Sequence, residues 1–234
     1  MKLIFSLFFL GVSFGAIAQH NKKDKVLPMV SHGIGGSFQK FDGLNGRVAN
    51  LPQYKQLKDY TATLGLGWLK EQNRVISGGG INIGSSMSGH HDEKSSTIRY
   101  FGLNADIGYD LLKSEKMMLY PLAGLGFQKY QAIFYKDNSA VAFNDVLEST
   151  EVRNSISSVR FNNSFFVYRL GFGFSVRSPK SPSNTIGIQA GYTGSFKKND
   201  WKSNENQSLG NAPRDKISQF FIGLILTNKP MIMK

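Results

Sequence analysis

Between residues 101 and 111 the chain alternates without a break. Phe101, Leu103, Ala105, Ile107, Tyr109 and Leu111 fall on one face, and Gly102, Asn104, Asp106, Gly108 and Asp110 on the other. Side chains of a β-strand point to opposite faces in turn, whereas a helix repeats every ~3.6 residues, so this segment reads as a strand. Segments 60–68, 166–176 and 186–195 repeat the pattern clearly, and 29–39, 75–84, 119–130 and 217–227 more weakly. Each has about the length a tilted membrane strand needs, roughly 9–11 residues. Eight such segments in an even set predict an all-β, eight-stranded antiparallel up-and-down transmembrane β-barrel. A ten-strand barrel stays open, because 135–163 is long enough to hold another hairpin.

Alternation alone does not say which face points inward. The face opposite the apolar one is built of Gly, Ser and Thr with few charges, unlike a surface meant for water. Tyr60, Trp68, Tyr109, Tyr168 and Tyr192 lie on the apolar face near strand ends, where interfacial aromatic girdles form. An open sheet edge cannot sit in lipid, so such strands must close on themselves. The competing fold is a soluble barrel with its apolar face turned inward, a lipocalin-like carrier of a small hydrophobic ligand.

Connection lengths sort by side. Residues 40–57, 85–97, 135–163 and 197–215 are the longer links, and 71–74, 112–116 and 177–184 the shorter ones. Membrane barrels have short periplasmic turns and longer external loops. With the N-terminus in the periplasm, every long link falls outside.

The N-terminus fits export to that compartment. Lys2, the apolar run 3–12 and the Ala16-Ile17-Ala18 ending are the three parts of a secretory signal peptide cut after Ala18. The predicted organisation is a signal peptide at 1–18, a periplasmic segment at 19–27, an outer-membrane barrel at 28–228 and a tail at 229–234. There are no cysteines, which excludes disulfides and thiol chemistry. The formal charge of +12 is scattered over many segments, with no basic helix stripe or recognition motif. That distribution argues against nucleic acid and for contact with anionic lipid head groups.

On these segments and loop lengths, residues 27–228 resemble the small outer-membrane β-barrel family, similar to the membrane half of OmpA, and the Ala-x-Ala-Gln ending resembles exported proteins of Bacteroidetes. The resemblance implies an outer-membrane location, lipid and the barrel-assembly machinery as partners, and a possible surface ligand held by the long loops. Two features depart from the pattern. No peptidoglycan-binding domain follows the barrel, and the chain ends 228–234 without a terminal aromatic, Phe220 and Phe221 lying inside the last strand instead.

Inward positions include Asn82, Asn104, Asp106, Asp110, Gln128, Arg169 and Gln189. Buried charges must pair or meet water, so Asp106 or Asp110 with Arg169 is a candidate internal ion pair that plugs the lumen. No cofactor, metal or catalytic site is expected. His90-His91-Asp92-Glu93 reads as a solvated loop tip, since adjacent residues seldom aim at one ion. A lipid A-modifying enzyme is the remaining alternative, with His32, His90 or His91 as the base. Gly33-Ile34-Gly35-Gly36 and Gly78-Gly79-Gly80 lack the Lys-Ser/Thr and helix of a phosphate loop.

Overall fold

The computed structural model describes residues 28–90, 93–179 and 181–228. The expected signal peptide, the tail, and His91 and Asp92 of the loop motif lie outside the described residues. Eight strands form the wall: β1 (Met29–Gln39), β2 (Tyr60–Gln72), β3 (Val75–Ser88), β4 (Ser95–Tyr109), β5 (Met117–Tyr135), β6 (Val159–Ser178), β7 (Ser181–Ser195) and β11 (Ser218–Asn228). Each pairs antiparallel with its neighbour around the wall, and β1 closes the barrel on β11 from Val30↔Asn228 to Gln39↔Gln219. The eight-stranded reading therefore stands. The segment long enough for a further hairpin forms α2 (Phe143–Glu148) and α3 (Thr150–Ile156) instead.

The turns at one end are tight. Gln72 pairs with Val75 across Asn73 and Arg74, whose φ angles of 52° and 68° are both left-handed. Two such residues make the type I′ turn that matches strand twist. At the other end lie α1 (Asp42–Val48), the α2–α3 loop, and the small strands β8 (Asn199–Asp200), β9 (Lys202–Ser203) and β10 (Arg214–Asp215). β10 pairs with β8, and β9 adds to the upper edge of β6 through Phe161↔Ser203 and Asn162↔Lys202.

Around the middle of the barrel the large apolar side chains point outward. Leu66 is 64% exposed, Leu125 63%, Phe172 63% and Ile107 59%, and every wall strand contributes to this belt. Water-soluble monomers rarely expose a continuous apolar patch beyond a few hundred Å². A closed ring of such residues, on strands paired all the way round, is what lipid requires. The belt makes this a transmembrane barrel.

The alternation changes phase toward the looped end. On β4 the belt uses Phe101, Leu103 and Ile107 facing out, but Ile98 and Tyr100 face in and are buried. On β5, Leu125 faces out while Tyr130, Ala132 and Phe134 face in, and on β6 Phe165 and Val167 join them. The strands thus run on past the belt and enclose an apolar core of their own. This is why β5 and β6 extend well beyond the predicted 119–130 and 166–176. It also explains the short second outer connection: Ser85 to Ser88 are zipped to Ser96 to Arg99 rather than looped.

The strands coil tightly enough that some inward glycines leave no room for a Cβ against the paired neighbour. At Gly67 it would collide with the carbonyl oxygen of Gly79 on β3. Gly67→Val should therefore cost about 1–3 kcal/mol by forced backbone displacement. On unboiled gels the variant should show a smaller fraction of the fast-migrating folded form, and an undiminished fraction would mean the wall has slack there.

Candidate functional site

The centre of the lumen is crossed by one polar layer. Arg169 on β6 and Asp106 on β4 both face inward, and Gly124 of the intervening strand β5 lies in register with each. A Cβ at Gly124 would collide with the Asp106 carboxylate, so glycine here lets the two charges meet over β5. Arg169 Nη1 donates to Asp106 Oδ2 at 2.6 Å, with side chains 14% and 15% exposed. Asn104 Nδ2 donates to the same oxygen at 2.6 Å, and Asn82 Nδ2 donates to Asn104 Oδ1 at 2.7 Å. The guanidinium also stacks 4.8 Å from the Phe221 ring centroid.

Above and below this layer lie cavities of about 110 Å³ each, sharing Asn82, Asn104, Arg169 and Gln189 as lining. Gln128 belongs to the upper one. Its Nε2 donates to Tyr100 Oη at 3.4 Å, and the Tyr130 hydroxyl lies 3.1 Å from Gln128 Oε1 and 2.9 Å from Gln219 Oε1. Gln189 serves the lower one, donating to Tyr120 Oη at 3.0 Å. Tyr120 packs there with Leu69, Ile76, Met118 and Leu122. At the turn end a second transverse ion pair joins Arg177 Nη2 of β6 to Glu71 Oε2 of β2 at 2.8 Å.

Asp110 is not in this network. β4 ends at Tyr109, and Asp110 leaves the wall to fasten the next turn. Its carboxylate accepts from the Leu112 and Leu119 amides at 3.2 and 3.1 Å, and its carbonyl accepts from Arg74 Nη2 at 2.6 Å. Of the seven predicted inward residues, Asn82, Asn104, Asp106 and Arg169 form one connected network, Gln128 and Gln189 sit in adjoining layers, and Asp110 lies outside it.

The looped end is closed by a cap. α1 lies over the opening with Phe41, Leu44 and Val48 buried against Tyr130, Phe165, Trp201 and Ile217. Phe41 packs edge-on to Tyr130 and Trp201 at 5.1 and 5.6 Å between centroids. Asp215 locks the arrangement from the last loop. It accepts from the Gly43 amide at 2.8 Å, the Leu44 amide at 3.0 Å and Trp201 Nε1 at 2.7 Å. The first turn of α1 has no side-chain cap of its own, so its orphan amides are satisfied from a loop over 170 residues away.

No protein-family model matches the chain, and no curated protein matches it in sequence. Solved structures of similar outline exist. The chain is similar to Ail, the attachment invasion locus protein of Yersinia pestis, solved with the heparin analogue sucrose octasulfate, at 16% identity and TM-score 0.47 over 86% of this chain and 97% of that one. It is similar to a major outer membrane protein of Thermus thermophilus at 10% identity and TM-score 0.48, over 86% and 99%. Neisserial surface protein A gives 8% and 0.40 over 86% and 96%. Strand pairing within this chain establishes the fold by itself.

The other predicted candidates are dispersed. His32 faces outward on β1, between Leu66 and Leu226 in register. His90 lies in the loop after β3, exposed. Neither meets a hydroxyl nucleophile among the described residues. The α2–α3 loop buries none of its helical side chains, leaving Phe143 76% and Leu147 61% exposed. At its base the Ser139 amide and hydroxyl donate to Asp137 Oδ1 at 2.9 and 2.7 Å, which holds that carboxyl below its ordinary pKa.

Sequence reasoning missed the cap entirely, along with Tyr100, Tyr120, Tyr130 and Gln219 as lumen partners. Their signal was available in part: an aromatic or Gln on the glycine face of a strand is out of place in a narrow barrel unless it fills the interior.

Proposed function

We propose that the chain is a non-enzymatic outer-membrane barrel whose lumen is shut and whose looped end is a surface-binding face. The observation that carries this reading is the pairing of an outward apolar belt with an interior closed at three levels: the cap, the Arg169–Asp106 layer and the Arg177–Glu71 pair. A carrier of an apolar ligand would need the belt side chains turned inward, around a cavity of several hundred Å³. Here the inner cavities are about 110 Å³ and partly polar. Lipid A chemistry would need a base within reach of its nucleophile, and among the described residues neither His32 nor His90 is so placed. Short turns on the periplasmic side and long loops outside give the orientation. Outer-membrane lipid and the assembly machinery are the partners this role requires, and exposed Phe143 and Leu147 offer the outer face an apolar anchor for a ligand.

Refolding the mature chain into phosphatidylcholine vesicles tests this directly. The barrel should resist SDS until boiled, and vesicles containing it should exclude sucrose as well as empty ones do. Rapid swelling would show an open pore. A protein that stays in the aqueous phase would remove the membrane reading altogether.

A further inference from the structure

Just above the belt, the outer faces of β4, β5 and β6 carry a small group of polar side chains. Arg99 and Lys129 both face outward and are exposed. Arg99 stands opposite Gln131 and Phe101 opposite Lys129, so the two cations are diagonal neighbours on adjacent strands. Diagonal side chains across a pair lie within reach of one small ligand, at about 7–8 Å. On the far side Lys129 stands opposite Ser164. Directly below are Phe101, Phe127 and Phe166, with Phe127 and Phe166 edge-on at 5.6 Å. Among the described residues neither Arg99 nor Lys129 forms an ion pair. The outward positions of these three strands include no carboxylate at all.

We propose that Arg99 and Lys129, with the Ser164 hydroxyl between β5 and β6, form a site for the phosphorylated head group of an outer-leaflet lipid, whose acyl chains lie on Phe101, Phe127 and Phe166. The inference rests on the membrane reading above. Its particular support is charge and position. Two unpaired cations without a neighbouring anion are left at the height where a bilayer places its phosphates, while the aromatic rings beneath them lie where its chains begin. Arg presents a planar fork of donors that fits phosphate, and Lys adds a mobile point charge. A free phosphate ion would use only the upper half of the site, leaving the aromatic shelf unmatched. Each cation near an anionic membrane surface contributes about 1 kcal/mol, so losing both should weaken retention about 30-fold.

Native mass spectrometry of the intact, detergent-solubilised barrel can read this. The probes are bis-phosphorylated lipid A and the same lipid after enzymatic dephosphorylation. The wild-type barrel should retain the phosphorylated lipid about 30-fold better than the Arg99→Gln/Lys129→Gln variant, and should hold the dephosphorylated lipid as weakly as that variant does. Inorganic phosphate at equal concentration should not compete. A Lys113→Gln change at the opposite end, in the turn after β4, should leave retention unchanged. Equal retention by wild type and double variant, or of both lipids, overturns the site. Heat-shift gels on the same samples separate this from failure of the membrane reading. If the shift is present and the phosphate preference absent, only the site is lost; if the wild type shows no shift, both are.

Discussion

Arg169→Met should lower the unfolding free energy of the barrel by about 3 kcal/mol, and Asp106→Asn added to it should recover most of that loss. The argument is one of stranded charge. Asp106 gives one oxygen to both Arg169 and Asn104, at 2.6 Å each, in a lumen where its side chain is only 15% exposed. Removing the guanidinium leaves a carboxylate with a single amide donor and little water. The cost of breaking a buried pair by deleting one partner is typically about 3–5 kcal/mol. The lower end applies, because cavities of about 110 Å³ flank the layer and admit a few waters. The amide in Asp106→Asn has nearly the same shape and no charge, so the double variant removes the penalty with the attraction. Urea titrations of wild type, Arg169→Met, Asp106→Asn and the double variant folded in vesicles, followed by the fluorescence of Trp68 and Trp201, give the four values needed for a double-mutant cycle. A single-variant cost below about 1 kcal/mol would mean that water reaches the pair freely and the layer does not seal the lumen.

That pair was legible in the sequence and its neighbours were not, for a definite reason. Within the belt each strand has one outward and one inward set, so Asp106 and Arg169 announce themselves as polar residues on a glycine face. β1 reads correctly from end to end for the same reason: Val30, Ile34 and Phe38 alternate with Ser31, Gly33, Gly35 and Ser37 along its whole length. Above the belt the rule inverts. Between Phe127 and Tyr130 on β5 the apolar set moves from odd to even positions, because the strand leaves lipid and begins to wall a protein core. A search for unbroken alternation stops at that point, and it stopped β5 and β6 short. Asp110 failed differently. It keeps perfect period with Asp106, yet the backbone turns away after Tyr109, and periodicity carries no information about where a strand ends. The cap was out of reach for a third reason. Its contacts join Gly43 and Leu44 to Asp215, separated by more than 170 residues, and no local spacing encodes such a meeting.

The cap should therefore be separable from the wall by a single change. Asp215 is 5% exposed and receives three donors, two from the first turn of α1 and one from the indole of Trp201. Hydrogen bonds to a charged acceptor contribute about 1.5–3 kcal/mol each, and not all of that is lost, since the freed amides meet water once α1 lifts. A net loss of about 4 kcal/mol in cap closure follows for Asp215→Ala, or roughly a thousandfold larger open population. The wall does not depend on these bonds: its strands remain paired from β1 round to β11. Trypsin added outside should then cut the Asp215→Ala chain at Arg47, Lys55 or Lys58 far faster than wild type, with the heat-shift on gels retained. Asp215→Asn, which keeps an acceptor for one face of the site, should fall between the two. Unchanged cleavage would show that Phe41, Leu44 and Trp201 hold the cap by packing alone. Loss of the heat-shift together with rapid cleavage would show instead that the apolar core under α1 is part of what closes the barrel, and that the outer loops stabilise the fold rather than merely cover it.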